Sequence, residues 1–187
     1  MPDTLDVLAL CGSLRRESFN RAALRAAEAL APDAGLAIEV ASIADVPPYD
    51  EDVYAKGFPP PVERLRGQIR AADALLFVTP EYNYSMPGVL KNAIDWVSRP
   101  PDQPFAGKPA AIMGASPSMF GSARAQYHLR QTLVFLDVLP INKPEVMIAS
   151  AHERFDAEGR LTHAPTRDLI GKLLAALAAW TRRLKTA

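Results

Sequence analysis

The sequence predicts an α/β fold in which a five-stranded parallel sheet lies between two layers of helices. Short apolar runs alternate five times with segments of helical periodicity. Prolines cluster only between these segments, as expected for loops. The 187 residues are enough for one α/β domain with a sizeable core. We therefore predict a three-layer sandwich that forms a single domain over residues 1–187.

Each predicted strand is a short, mostly apolar run, as is typical of parallel strands that are buried on both faces. The runs are residues 4–10, 36–42, 74–79, 109–115 and 144–150. The third run is the clearest, because residues 74–78 are all apolar.

Each predicted helix carries apolar residues at helical spacing on one face. The helices are residues 19–30, 62–72, 87–98, 122–136 and 166–184. Right-handed crossovers limit the possible topologies, and we predict the strand order 2-1-3-4-5. In this order the carboxyl ends of the first and third strands meet at a switch point, where ligands bind in such sheets.

Composition argues against several classes of function. The chain has 21 basic and 21 acidic residues and no basic tail, which disfavours nucleic-acid binding. No apolar run approaches about 18 residues, so we expect no membrane span. Cys11 is the sole cysteine and the N-terminus lacks the features of a signal peptide, so we expect a cytoplasmic protein. The three histidines show no spacing typical of a metal site, and we expect no metal.

The loop after the first strand, residues 12–20, has the residues needed to hold a phosphate monoester. It leads into a helix N-terminus, where unpaired backbone amides attract anions. Ser13, Ser18 and Asn20 add neutral donors, and Arg15 adds a charged one. Neither a Gly-x-Gly-x-x-Gly motif nor a P-loop is present. The competing interpretation is that Ser18 is only an N-cap of the helix.

The loop after the third strand, within residues 79–99, reads Thr-Pro-Glu-Tyr-Asn-Tyr-Ser-Met-Pro-Gly before a helical segment. Tyr82 and Tyr84 offer a flat aromatic wall for a planar ligand. Asn83 tolerates the unusual backbone angles of a tight turn. The alternative is an ordinary turn whose tyrosines pack locally before a helix that starts at Pro87.

The two loops resemble the Gly-Ser-Leu-Arg-x-x-Ser-x-Asn and Pro-Glu-Tyr-Asn motifs of the NADPH-dependent FMN reductase family, a branch of the flavodoxin-like fold. The resemblance covers roughly residues 4–150 and implies that FMN is the cofactor. By this resemblance the FMN-binding residues are Ser13, Leu14, Arg15, Ser18, Phe19, Asn20, Pro80, Glu81, Tyr82, Asn83, Tyr84 and Ser116. In the third loop, Pro117, Ser118 and Ser122 depart from the small residues, often glycine, that are usual in the family.

The resemblance implies an oxidoreductase that passes a hydride from NADPH or NADH, through FMN, to a small acceptor by a ping-pong mechanism. Quinones, flavins, azo dyes and chromate are the expected acceptors. Because the flavin carries the chemistry, we expect no catalytic side chain. Two alternatives remain open, a flavodoxin-type electron carrier that does not oxidise NAD(P)H directly and a flavin-free α/β binding module.

The segment 126–131 and the run Lys143-Pro144-Glu145 resemble the quinone and chromate reductase branch, which implies a homodimer or homotetramer. Arg124, Tyr127 and Glu145 are expected to form a polar network across the subunit interface. Trp96 lies off the apolar stripe of its helix, which suggests a further interface contact. The alternatives are a solvated helix face for the polar residues and packing of Trp96 on the Pro100-Pro101 loop.

Overall fold

The central sheet has the predicted strand order, with its fifth position divided between two short strands. The computed structural model describes residues 4–186, so residues 1–3 and 187 of the predicted domain lie outside the described residues. The strands are β1 (Leu5–Cys11), β2 (Leu36–Ala41), β3 (Ala74–Val78), β4 (Pro109–Ala115), β5 (Leu139–Pro140) and β6 (Val146–Ile148). All pairs are parallel in the order β2-β1-β3-β4-β5, and β6 also pairs with β4.

The fifth strand is shorter than predicted. β5 pairs with the start of β4, whereas β6 pairs with its end at Met113–Ala115. Of the predicted run 144–150, only β6 is a strand. Pro144 has no N–H group and a fixed φ, so it cannot continue a hydrogen-bonded ladder between the two pieces. The prediction of one continuous fifth strand over residues 144–150 is therefore wrong, because two short strands, β5 and β6, take its place.

The five long helices lie within a few residues of their predicted bounds. The helices are α1 (Phe19–Leu30), α2 (Glu51–Tyr54), α3 (Pro60–Ala71), α4 (Gly88–Val97), α5 (Ala123–Phe135) and α6 (Ala164–Lys185). The short α2 was not predicted; Asp50 caps it by accepting a hydrogen bond from the N–H of Asp52 at 2.8 Å. Within residues 4–186, no helix is long and apolar enough to cross a membrane.

The sheet separates two hydrophobic cores. Alternate residues of β3 point to opposite faces, so Leu76 packs in the core beneath α1 and α6, while Leu75 and Phe77 pack in the core beneath α3, α4 and α5. Helices thus cover both faces, which confirms the predicted flavodoxin-like three-layer sandwich. This arrangement leaves the strand ends free to present loops along one edge of the sheet.

Trp96 is fully buried, so its predicted place at a subunit interface is wrong. Its indole Nε1 donates a hydrogen bond to the carbonyl of Pro47 at 2.8 Å. Its ring packs edge-on against Tyr49, with ring centroids 4.8 Å apart. The segment after β2 therefore covers this side of α4, a long-range contact that the helical periodicity of α4 cannot show.

Candidate functional site

The loops after β1, β3 and β4 meet at the carboxyl edge of the sheet and enclose a cleft of about 230 Å³. The lining residues are Ser13, Arg15, Ser18, Phe19, Asn20, Pro80, Glu81, Tyr82, Ala115, Ser116 and Pro117. Three predicted site residues, Leu14, Asn83 and Tyr84, lie outside this lining. Ala115 was missed because it acts through its backbone, which leaves no signal in the residue type.

The first loop presents hydrogen-bond donors that no protein group uses. Within residues 4–186, the backbone N–H groups of residues 13–17 donate to no other protein group. The N–H groups of Phe19 and Asn20, in the first turn of α1, are also free. Free N–H groups converging on a helix N-terminus form a site for an anion.

Three side chains extend this donor set. Ser13 is buried, with only 2% of its surface exposed, and its hydroxyl forms no hydrogen bond to the described residues. Ser18 is the N-cap of α1, since its Oγ accepts a hydrogen bond from the N–H of Arg21 at 3.1 Å. The Ser18 hydroxyl proton can still be donated, so capping and ligand binding are compatible. Arg15 is exposed and forms no ion pair within residues 4–186.

Asn20 joins the first loop to the third. Its Nδ2 donates to the carbonyl of Ala115, and its Oδ1 accepts from the N–H of the same residue, both at 2.9 Å. The side chain is 3% exposed. One Nδ2 proton remains for a ligand, but the contacts that Asn20 makes in this structure hold the end of β4 against α1.

A tight turn closes the second loop. Tyr82 and Ser85 exchange two backbone hydrogen bonds, each 2.9 Å long. Asn83 and Tyr84 between them both have positive φ, 48° and 68°, which is the geometry of a two-residue hairpin turn. The turn confirms the backbone role predicted for Asn83. The N–H groups of Glu81, Asn83 and Tyr84 donate to no protein group among the described residues.

Glu81 points its carboxylate at the N-terminus of α5. The carboxylate accepts hydrogen bonds from the N–H groups of Arg124, at 3.0 Å, and Ala125, at 3.3 Å. It also forms an ion pair with the guanidinium of Arg124, and its side chain is only 6% exposed. The N-cap residue of α5, Ser122, makes no side-chain cap of its own. Glu81 therefore caps a helix that begins 42 residues later in the sequence.

Tyr84 packs against Arg124 outside the lining of the cleft. The guanidinium carbon of Arg124 lies 3.7 Å from the Tyr84 ring centroid and 4.4 Å from that of Phe120. The hydrogen bond with Glu81 raises the pKa of Arg124, so its charge is secure. Tyr82 lines the cleft, so the two tyrosines of the motif have different surroundings.

The third loop is held in shape by its own polar groups. Ser116 Oγ accepts from the N–H of Ser118 at 3.1 Å, and the two hydroxyls lie 3.0 Å apart. Gly121 has a φ of 54°, and a Cβ there would lie 2.6 Å from the backbone of Met147. Ser122, with a φ of 73°, is fully buried. Its Oγ lies 3.2 Å from Gln126 Nε2, which donates to it.

Two of the three residues predicted for a network between subunits contact each other within the chain. The Tyr127 hydroxyl donates to Glu145 at 2.9 Å within one chain, which raises the pKa of Tyr127. Arg124 is not a member of this pair, because its guanidinium binds Glu81. The network that was predicted across a subunit interface therefore stays a prediction.

Cys11 is the one thiol near the cleft. It ends β1 and is 3% exposed. Burial raises its pKa, and this effect outweighs the opposing influence of a contact with the Ser13 backbone and of the nearby Arg21 charge. A protonated, buried thiol is a poor nucleophile, so Cys11 contributes packing.

The donor set of the cleft fits the phosphate end of FMN. Ser13, Arg15 and Ser18 line this small space with their side chains, and Phe19 and Asn20, whose N–H groups donate to no protein group among the described residues, line it as well. The volume of about 230 Å³ is below that of a typical pocket for a whole ligand. The cleft therefore suits part of the cofactor. The free N–H groups of the second loop offer donors for another part.

Comparison with known proteins places this chain in one family. The model for the NADPH-dependent FMN reductase family matches residues 5–153. An NAD(P)H-dependent FMN reductase of Pseudomonas aeruginosa is 66% identical over 185 residues, covering 99% of this chain and 100% of that protein. A quinone reductase of Escherichia coli K12 is 48% identical over 187 residues, covering 99% and 100%. The flavoenzyme NAD(P)H:(acceptor) oxidoreductase FerB of Paracoccus denitrificans superposes with a TM-score of 0.87 at 36% identity, covering 96% of this chain and 98% of that one. The chain belongs to the NADPH-dependent FMN reductase family, as its two loop motifs predicted.

Proposed function

We propose that the protein is an FMN-dependent oxidoreductase that uses NAD(P)H to reduce a quinone or a similar small acceptor, such as a flavin, an azo dye or chromate. The observation that carries this proposal is the first loop, whose N–H donors at residues 13–17 have no protein partner within residues 4–186. The names of the related FMN and quinone reductases support the same activity.

FMN, when bound, supplies the hydride acceptance and donation that no side chain of this protein can perform. Ser13, Arg15 and Ser18 hold its phosphate together with the free N–H groups of the first loop. Asn20 positions this loop against the third by its paired contacts with Ala115.

The second loop supplies a rigid face beside the cofactor. Its turn is closed by the Tyr82–Ser85 pair, and Glu81 ties it to α5. Because the loop is already ordered, binding requires little further loss of conformational entropy. Tyr82 and Pro80 offer apolar surface next to the phosphate site.

We propose that NAD(P)H and the acceptor occupy the same exposed face in turn, which is a ping-pong scheme. Double-reciprocal plots at several quinone concentrations should then be parallel. Intersecting lines would mean that both substrates bind together and would contradict the shared face.

The first test is a visible absorbance spectrum of the purified protein before and after anaerobic addition of NADPH or NADH. A flavin band that bleaches, followed by steady consumption of the nucleotide when a quinone is added, is the expected result. A band that persists with both nucleotides would favour an electron carrier. The absence of a band even after FMN is added would refute the cofactor assignment.

We also propose that the protein is a cytoplasmic homodimer or homotetramer. The exposed fractions of Met119, Val134 and Phe135 are 79%, 78% and 87%, which is unusual for large apolar side chains. They lie on or next to α5, whose Tyr127 donates a hydrogen bond to Glu145. Light scattering coupled to size exclusion should give two or four times the chain mass of 20.3 kDa. A monomer would contradict the proposal.

A further inference from the structure

Glu81 is the one acidic side chain that lines the cleft at the carboxyl edge, among residues 4–186. Arg15, the other charged residue of this lining, lies on the first loop, where we assign it to the phosphate. The Glu81 side chain is only 6% exposed, so water and salt screen its charge weakly. A carboxylate is unexpected here, because FMN gains negative charge when it is reduced and like charges repel. Reduced FMN is tolerated at this place only if nearby positive charge offsets the charge of Glu81.

Two kinds of positive charge offset this carboxylate. The guanidinium of Arg124 forms an ion pair with it. The N–H groups of Arg124 and Ala125 donate to it at 3.0 Å and 3.3 Å. These N–H groups belong to the first turn of α5, and the N-terminus of a helix carries a partial positive charge. A cation and a helix dipole together therefore balance the charge of Glu81.

Arg124 is held in place by two aromatic rings. Its guanidinium carbon lies 3.7 Å from the ring centroid of Tyr84 and 4.4 Å from that of Phe120. Tyr84 belongs to the loop after β3 and Phe120 to the loop after β4, so the arginine is fixed from two sides. Such cation–π contacts are strongest where the cation is partly shielded from water, and the Arg124 side chain is 28% exposed. The position of the cation relative to the carboxylate is therefore set by the fold.

The ion pair has its negative end toward the cleft. Glu81 is part of the lining, whereas Arg124 is not. A ligand in the cleft is therefore nearer to the carboxylate than to the guanidinium, and the pair as a whole presents a weak negative potential to it. A negative potential disfavours the reduced form of a flavin, because this form carries more negative charge. The reduced cofactor then becomes a stronger reductant.

We propose that the Glu81–Arg124 pair sets the reduction potential of bound FMN, with Glu81 lowering this potential and Arg124 limiting the decrease. The inference rests on the proposed function, since it requires FMN in the cleft. Neither side chain exchanges an electron or a proton, and each acts only through its charge on the electronic properties of the cofactor. A lower potential favours transfer to the acceptor, and a higher potential favours reduction by NAD(P)H. The pair thus balances the two halves of the reaction.

Spectroelectrochemical titration of the FMN-loaded protein at one fixed pH tests the proposal. Glu81→Gln removes the negative charge and keeps an oxygen that can accept from the N–H groups of α5, so the midpoint potential should rise. Arg124→Gln leaves the carboxylate without its cation, so the potential should fall. Each shift should correspond to about a tenfold change in the reduction equilibrium, or about 30 mV for a two-electron couple.

Two further variants separate the effect of charge from a disturbance of the local structure. Arg124→Lys keeps the cation and should restore most of the wild-type potential. The double variant Glu81→Gln, Arg124→Gln has lost both charges and should lie between the two single variants. Shifts of the same sign in the two single variants would mean that the pair acts by shaping the loop, and would overturn the proposal.

The ion pair between Arg70 and Asp102 supplies the matched control. Its two charged atoms lie 3.2 Å apart. Arg70 is in the last turn of α3, directly before β3 begins, and so lies at the edge of the sheet opposite to the cleft. Arg70→Gln and Asp102→Asn remove the same kinds of charge and should leave the potential unchanged, because both groups are exposed and distant from the cleft.

The titration reduces FMN with an electrode and redox dyes, so its result does not depend on oxidation of NAD(P)H. If the variants show opposed shifts but neither nucleotide is oxidised, the oxidoreductase assignment fails and the role of the pair stands. If turnover is normal but the single variants have the potential of the wild type, the proposal alone is overturned. A protein that binds no FMN would refute both, and the absence of a flavin band identifies that outcome.

Discussion

The first and second loops of the site differ in how the protein uses their polar groups. In the first loop, the N–H groups of residues 13–17 and the hydroxyl of Ser13 have no protein partner among the described residues. In the second, the Tyr82–Ser85 pair closes the turn and Glu81 caps α5. The Ser85 hydroxyl also lies 3.0 Å from His128 Nδ1. The first loop thus keeps donors available for a ligand, and the side chains of the second mainly hold the scaffold together.

This difference separates ligand affinity from stability. A donor that is free in the protein contributes nothing to folding until a ligand accepts from it, whereas a side chain that caps a helix stabilises the fold continuously. Substitutions in the first loop should therefore change FMN affinity, and those at Glu81 should mainly change the free energy of unfolding. Asn20 belongs to both groups, because it lines the cleft and also binds Ala115.

The largest expected effect is that of Asn20→Ala. The substitution leaves the buried N–H and carbonyl of Ala115 without partners, which should cost about 3 kcal/mol of the free energy of unfolding. FMN affinity should fall as well, because the first and third loops separate. Urea unfolding and a flavin fluorescence titration measure the two effects.

Asn92→Ala is the matched control for Asn20→Ala. Asn92 also bridges two backbone groups, accepting from the N–H of Tyr49 and donating to the carbonyl of Pro47, both at 2.8 Å. It lies outside the cleft, so its loss should destabilise the protein and leave FMN affinity unchanged. If the Asn20→Ala protein had the same free energy of unfolding as the wild type, the contacts of Asn20 with Ala115 would not contribute to stability.

The next largest effect is expected for Arg15→Gln. Loss of a charged donor to the phosphate should weaken FMN binding by about 10- to 100-fold. The melting temperature of the FMN-free protein should not change, because Arg15 has no protein partner among residues 4–186. Arg16→Gln is the comparison, since Arg16 is the neighbouring residue and lies outside the lining of the FMN cleft. Equal FMN affinities in the two variants would remove Arg15 from the phosphate site.

Glu81→Ala tests the scaffold role of the second loop. Loss of the cap on α5 should lower the free energy of unfolding by about 1 kcal/mol, or a few degrees in the melting temperature of a chain of this size. Glu17→Ala, at an exposed residue without an ion pair, should have no such effect. If Glu81→Ala kept full stability but abolished FMN binding, the carboxylate would be a direct ligand of FMN.

The smallest effect is expected at Tyr84. Tyr84→Ala should change FMN affinity by no more than about twofold, because the ring is 67% exposed and lies against Arg124 outside the cleft. Tyr82→Ala should weaken FMN binding several-fold, since Tyr82 lines the cleft. The comparison is made by fluorescence titration of both variants. A larger loss for Tyr84 than for Tyr82 would reverse the assignment of the flavin wall.

The sequence predicted the family and the succession of strands and helices because both depend on local pattern, and the handedness of the crossovers then limited the strand order. Apolar periodicity identifies each strand and helix, and short motifs place donors directly after known strand ends. The prediction failed where partners are distant in sequence. Trp96 is covered by the segment around Pro47, and nothing in the sequence indicated that Arg124 pairs with Glu81 within the chain.

The sequence by itself therefore indicated which loops meet at the candidate site and which residue types they contain. Only the tertiary structure decided how each polar group is used. The sequence predicted that Asn20 and Glu81 lie at the cleft. Folding also brings Ala115 next to the Asn20 side chain and the start of α5 next to the Glu81 carboxylate. Hydrogen bonding depends on distances of about 3 Å, and such distances between remote segments are set by packing of the two cores and not by local sequence.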